Sequence, residues 1–211
     1  MNITIIGATS GVGLSCVKKA LAKGHKVTAL SPRAQQLLQD EPMLTKINGS
    51  ATSLADLKEA IKNADAILVC INTKKKKGTT LFSEMANVVI PAMEEICPDA
   101  VILVISGFGV GNSRPYLGFF MKLIINLLLK DQYDDKAVME SLFARSKLKW
   151  EMVRPGILSD ASPTGKYQIF PSLFKKMKIG KITKDDLADF MIKEAGEKKF
   201  LLKTPAITQS I

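Results

Sequence analysis

Between a β-branched run, Ile3–Ile6, and a stretch of helical character, Gly11 to Lys23, stand the residues Gly7-Ala8-Thr9-Ser10-Gly11-Val12-Gly13. Three glycines at this spacing suit one kind of chemistry. Gly7 permits a tight turn out of a strand, Gly11 lets the backbone approach a pyrophosphate, and Gly13 lets the following helix pack closely on the sheet. The free N–H groups of the helix start, reinforced by its dipole, then hold phosphate charge. A lone glycine pattern is weak evidence. One that follows a buried strand, opens a helix and begins a strand–helix–strand unit points to a dinucleotide.

The end of the second strand chooses the dinucleotide. An acid there, roughly 20 residues beyond the fingerprint, would bind the ribose hydroxyls of NAD. The sequence instead reads Leu30-Ser31-Pro32-Arg33. The guanidinium fork of Arg33 suits a 2′-phosphate, and Ser31 could donate a second hydrogen bond. NADPH is therefore expected ahead of NADH, with Asp40 or Glu41 folding back to the ribose as the alternative.

Acid–base groups are sparse. Tyr133 and Lys136 invite comparison with a Tyr-x-x-x-Lys pair, in which the lysine lowers the tyrosine pKa for proton exchange with a substrate hydroxyl. The spacing here is one residue short, and Asp134 and Asp135 oppose a lowered pKa. The single histidine, His25, lies in the turn before the second strand, so no nucleophile–His–acid set exists. No metal-ligand spacing is present, and Cys16, Cys70 and Cys97 sit in apolar stretches as expected of buried, reduced thiols.

Elements that could position these residues follow in alternation. Strands are expected at Ile3–Ile6, Lys26–Leu30, Lys46–Asn48, Ala66–Ile71, Val101–Ile105 and Lys149–Arg154. Helices are expected over 11–23, Leu54–Asn63 with Ser53 as N-cap, Leu81–Ile96, Tyr116–Lys130, Asp134–Lys147 and Lys184–Glu194 with Thr183 as N-cap. Between the sixth strand and the last helix the chain reads as irregular. The alternation predicts an α/β fold: a Rossmann-type, doubly wound parallel sheet with helices on both faces, in one domain spanning 1–211 with a small C-terminal substrate-pocket region.

Beyond these patterns, GATSGVG followed by KALAKGHKVTALSPR resembles the start of the atypical short-chain dehydrogenases, specifically the NmrA-like, NAD(P)H-binding group that includes flavin reductases of the biliverdin reductase B type. NADAILVCI, FSEMANVVIPAM, DKAVMESLFARSKLKWEMVRPGILSDASPTGKY and ITKDDLADFMI extend the resemblance along nearly the whole chain. It implies that Thr9, Ser10, Gly11, Val12 and Gly13 cradle the pyrophosphate and that Arg33 sits near the 2′-phosphate. It implies that Cys70, Ile71 and Asn72 line the ribose, that Ser106 reaches the nicotinamide region, and that Pro155, Gly156 and Ile157 flank the nicotinamide face. Gly49-Ser50 stands where the group carries Gly-Asp, which puts Ser50 and Ala51 near the adenine with one contact weakened or made by backbone. Ser106 is then the polar candidate for catalysis, against the plainer role of a strand-end serine capping backbone.

The implied activity is hydride transfer from NADPH to a flavin or quinone-like acceptor, a reaction in which solvent can supply the proton and positioning does most of the work. A non-catalytic NADP(H) sensor is the alternative, and an epimerase or dehydratase, which would need Tyr133, is the weaker one. The acceptor pocket is expected from the loops Asn72–Thr80, Phe108–Leu117 and Ser159–Pro171.

The net charge of +10 includes the runs Lys74–Lys77 and Lys175-Lys176 with Lys178. Without interleaved aromatics or a nucleic-acid motif, these read as a solvated surface that draws in anionic cofactors rather than nucleic acid. The apolar run Leu117–Leu129, interrupted by Lys122 and Asn126, is too short to span a bilayer. It predicts a buried or amphipathic helix, with a peripheral membrane contact or dimer face as the lesser reading. A cytoplasmic protein, monomer or homodimer, is expected.

Overall fold

Apolar strands bury both faces, and the computed structural model, which describes residues 1–37 and 41–210, shows what covers each face. The elements run β1 (Asn2–Ile6), α1 (Gly11–Ala22), β2 (Lys26–Ser31), β3 (Leu44–Asn48), α2 (Leu54–Ala60), β4 (Ala66–Val69), α3 (Leu81–Ile96), β5 (Val101–Ile105), α4 (Phe119–Ile124), α5 (Lys130–Arg145), β6 (Lys149–Pro155), β7 (Ile157–Ser159), β8 (Tyr167–Phe170), β9 (Lys181–Thr183), α6 (Lys184–Glu197) and β10 (Ala206–Gln209). The main sheet has eight strands in the order β3-β2-β1-β4-β5-β6-β10-β8. All pairs in it are parallel except β10–β8.

Alternate side chains of each strand enter opposite cores. Ile3, Ile5, Ala66, Leu68, Val101 and Leu103 meet α1 and α6 through Val17, Ala20, Leu187 and Met191. Ile6, Ile67, Val69, Ile102 and Val104 meet α2, α3 and α5 through Leu57, Phe82, Met85, Met139 and Phe143. This is the doubly wound arrangement. Its strand order reverses between β1 and β4, and at such a switch point the crevice beyond the strands' carboxyl ends is open to a ligand.

The expected caps form. Ser53 Oγ accepts the Asp56 N–H, and Thr183 Oγ1 accepts the Asp186 N–H at 2.9 Å. Two expectations need correction. The region after β6 is not merely irregular: β8 pairs antiparallel with β10, and β7 pairs parallel with β9 in a small second sheet. These strands are three or four residues long, too short for a periodic signal. The two helices expected around 116–147 are in fact continuous from Phe119 to Arg145, joined by a π-helical turn at Ile125–Leu129 after a 3-10 segment, Gly111–Tyr116. Among the described residues, no helix is long and apolar enough to cross a membrane.

Candidate functional site

The crevice floor is the glycine loop between β1 and α1. Gly7 has φ +84°, and a Cβ there would lie 2.8 Å from the Cys70 carbonyl oxygen. A Cβ on Gly13 would come within 2.1 Å of the Gly7 carbonyl oxygen, so α1 can start against β1 only without a side chain. At Gly11 nothing comes closer than the Lys184 side-chain stem at 4.0 Å, leaving open space over the helix start. Ser10 is the N-cap of α1 and its side chain makes no capping bond, so the first N–H groups of the helix face that space. The loop is thus a cradle that a Cβ would fill, which fits a pyrophosphate. Lys184, at the start of α6 and ion-paired with Asp160, brings a cation over Gly11. Sequence spacing could not have found it, because the two meet only through packing of α6 beside α1.

Thr9 and Ser31 join the loop to the end of β2. Their hydroxyls hydrogen-bond at 2.8 Å, and Ser31 is buried. Ser31 therefore ties the glycine loop to β2 rather than standing open toward a 2′-phosphate as expected. Beside it Thr9, Leu14, Lys18, Arg33, Gln36 and Leu37 enclose a pocket of about 330 Å³. Arg33 lines this pocket. Lys18, one α1 turn beyond Leu14, is a second cation in the pocket that no spacing in the sequence singled out. Asp40 lies outside the described residues, and Glu41 borders a different depression with Pro42, Leu44 and Lys46.

On the same edge, Ser50 N donates to Asp56 Oδ2 at 2.8 Å and its hydroxyl bonds Thr52 Oγ1, while Ala51 packs on the core. The close Gly49–Asp56 approach makes this turn self-contained. Across the switch point, Cys70 and Ile71 are half-buried, and Asn72 is exposed with its Oδ1 accepting the Thr73 N–H.

A buried polar network occupies the ends of β5 and β6. Ser106, 2% exposed, donates from its hydroxyl to Glu140 Oε1 at 2.6 Å, and its carbonyl accepts from Lys136 Nζ at 2.8 Å. Arg154 clasps Glu140 with two bonds of 3.0 and 2.6 Å and reaches Asn112 Oδ1 with the third nitrogen. Ser106 was expected to offer a polar group toward the nicotinamide. Its donor is instead taken up by Glu140, because a carboxylate on α5 faces the strand end.

Burial pushes the Lys136 ammonium down to about 8 against the opposing pull of Glu140. Tyr133 lies over Gly107, with its hydroxyl 3.6 Å from where a Cβ would stand. Burial raises its pKa, the reverse of what a proton-exchanging tyrosine needs. The flanking acids are spent elsewhere: Asp135 accepts the Phe82 and Ser83 N–H groups at the start of α3, and Asp134 pairs with Arg114 and Lys130.

Beyond this network, Pro155 O accepts the Phe108 N–H at 2.9 Å. Gly156 passes so close to Gly180 that a Cβ would lie 2.0 Å from its carbonyl oxygen, and Ile157 is exposed. Next to them opens a cavity of about 720 Å³ whose walls include Phe108, Tyr116, Leu117, Met121, Met177 and Thr208. The 108–117 loop contributes as expected, and the 159–171 region gives Gln168. The 72–80 loop gives nothing, and residues 177–181 with 208–210 line it instead because β10 pairs beside β6 and β9 beside β7.

A family model described as NAD(P)H-binding matches residues 7–198. The chain belongs to that NAD(P)H-binding family. Its features agree with the NmrA-like atypical short-chain dehydrogenases, and they support a nicotinamide cofactor. Among curated proteins it is similar to the reductase pytE of Aspergillus terreus, 25% identical over 200 residues that span 75% of this chain and 76% of that protein. Among solved structures it resembles ChuY, an anaerobillin reductase from Escherichia coli O157:H7, with TM-score 0.82 and 20% identity over 99% of this chain and 97% of that one. It also resembles SP1627, a candidate NADH-flavin reductase of Streptococcus pneumoniae TIGR4, with TM-score 0.78 and 17% identity over the whole of both chains. These two structures share its fold.

Proposed function

We propose that the protein is an NADPH-dependent oxidoreductase that reduces a flat, conjugated acceptor such as a flavin or a quinone. The observation that carries this reading is the presence of two spaces along one sheet edge. The glycine cradle with its Arg33–Lys18 pocket stands at one side of the switch point, and a cavity walled by Phe108, Tyr116, Leu117 and Met121 stands at the other. Reductases of anaerobillin and of flavin, both conjugated ring systems, are among the names carried by proteins of the same fold.

In this reading the Gly7–Gly13 loop and the α1 N-terminus hold the pyrophosphate, and Arg33 with Lys18 holds the 2′-phosphate. Ser50 and Ala51 border the adenine, Cys70, Ile71 and Asn72 border the ribose, and Pro155, Gly156 and Ile157 flank the nicotinamide. A bound reduced nicotinamide supplies the hydride. Ser106 acts as a positioning residue: Glu140 and Arg154 lock it, and so fix the β5 end against which the ring rests. Lys136 holds its charge beside that strand end, where it favours an acceptor that has gained negative charge. The apolar cavity wall excludes water from the transfer. No proton-donating pair is required of the protein, since water can protonate a reduced flavin or quinone.

The test is oxidation of NADPH, followed by loss of the reduced nicotinamide absorbance, with FMN, riboflavin, a short-chain quinone and an aldehyde as acceptors and NADH in parallel. Turnover with flavin or quinone and not with aldehyde is expected, faster with NADPH. Tight NADPH binding without turnover by any acceptor would replace the reductase with a cofactor sensor.

A further inference from the structure

The helical segment that begins at Phe119 does not bury its apolar side. Phe119 is 79% exposed and Phe120 77%, and Leu123, Ile124, Leu127 and Leu128 are exposed with them. These positions recur every fourth residue in adjacent pairs, so they form one continuous stripe along α4 and the π-helical turn. Ile125 alone in this stretch is fully buried, with Met121 partly so, and these two hold the helix to the third, smaller core beneath it. A patch of this size is unusual on a monomer's surface and marks a place where something docks.

Lysines bound the stripe at both ends. Past its carboxyl end, Gln132 Nε2 donates to the carbonyls of Thr73 and Lys75, and Asp131 accepts the Gly78 N–H at 2.7 Å. These bonds fasten the exposed Lys74–Lys77 loop beside the helix. At the other end Leu173 and Met177 pack into the same small core as Met121, which brings exposed Phe174, Lys175, Lys176 and Lys178 alongside. Of the nearby acids, Asp134 is paired with Lys130 and Arg114, and Asp131 is held by the Gly78 N–H.

We infer that this face docks on an anionic lipid surface, with the Phe119–Leu128 stripe lying in the interface and the flanking lysines on the headgroups. An exposed aromatic and aliphatic stripe beside lysines is the pattern of an in-plane interfacial helix. Anionic lipid supplies the counter-charge that the lysine loops lack. A second copy of the chain would set these lysines against their own image, in a molecule of net charge +10. The apolar stretch of this helix is too short to span a bilayer, so the contact is peripheral. Leu117, Gly118 and Met121, at the start of the stripe, also line the 720 Å³ cavity.

The experiment is co-sedimentation of the purified chain with vesicles of phosphatidylcholine alone and of equimolar phosphatidylcholine and phosphatidylglycerol. Needing no acceptor, it is independent of turnover. Binding to the anionic vesicles, weakening with salt, is expected. Phe119→Ser combined with Phe120→Ser should lower affinity by about tenfold or more. Replacing Lys74, Lys75, Lys76 and Lys77 together by Gln should lower it by roughly 600-fold, at about fivefold per lysine. The serine variant should melt at the wild-type temperature, because both rings are already in solvent. Absence of binding to anionic vesicles at low salt would overturn the inference, and so would undiminished binding by the serine variant. A lipid-free dimer by light scattering that the serine variant dissociates would assign the face to a second copy instead.

Discussion

Replacing Glu151 by Gln should make the protein more stable at neutral pH and remove much of its alkaline instability. Glu151 on β6 is 0% exposed, and neither carboxyl oxygen has a hydrogen-bond partner among the described residues. Burial, and then the neighbouring carboxylate of Glu194, push its pKa from 4.5 up to about 8. Glu194, 2% exposed, accepts the Phe200 N–H at 3.0 Å. In so dry a place Glu151 keeps its proton at neutral pH. A carboxyl whose folded pKa stands above its unfolded value binds the proton more tightly when folded. Its contribution is therefore fully present below pH 4.5 and is lost as the pH rises toward 8.

A tenfold change in proton affinity is worth about 1.36 kcal/mol, so a rise from 4.5 to about 8 removes up to about 5 kcal/mol across that window. Between about pH 5 and pH 8 the loss is about 3 to 4 kcal/mol, or on the order of 10 °C in melting temperature for a chain of this size. Glutamine keeps the shape and carries no charge at any pH, so it leaves no carboxylate to bury. Wild type and Glu151→Gln should thus melt within a few degrees of each other in acid and diverge steadily as the pH rises, followed by circular dichroism in matched buffers. Two melting curves that stay parallel across the window would refute the raised pKa of Glu151.

Arg33→Ala should weaken NADPH binding by about 10- to 100-fold, the worth of a hydrogen bond to a charged group, and leave NADH nearly unchanged; equal losses by calorimetry would remove Arg33 from the 2′-phosphate site. Glu140→Ala strands Arg154, 3% exposed, without its carboxylate. The cost should be about 3 to 5 kcal/mol, or roughly 10 °C in thermal melts, and a drop of under about 3 °C would show that water replaces the pair. Lys136 loses its charge near pH 8, so turnover should fall through an apparent pKa of about 8. In Lys136→Met that inflection should vanish at a lower rate, and an unaltered profile would place the titrating group elsewhere.

The sequence by itself determined the sheet and the cradle. Apolar β-branched runs such as Ile3–Ile6 and Val101–Ile105 can satisfy both faces only between two helical layers, and a glycine loop joining such a strand to a helix leaves its own helix N–H groups free. Those are local constraints, written in adjacent residues. Arg33 at the β2 end and the Ser53 and Thr183 caps were legible for the same reason. What only the tertiary structure decided involves partners far apart in the chain. Ser106 is committed to Glu140, and Glu140 to Arg154, because α5 lies across the ends of β5 and β6. Lys184 reaches Gly11 because α6 packs beside α1, and Lys18 joins Arg33 because α1 turns over the end of β2. The cavity took its wall from 177–181 and 208–210 because short strands without periodicity paired beside β6 and β7. The stretch at Phe119–Leu128 reads in sequence as a buried or amphipathic helix, with an exposed contact face only as the lesser reading. Hydrophobic pattern records which residues avoid water, whereas the chain's own packing decides whether another element is there to cover them.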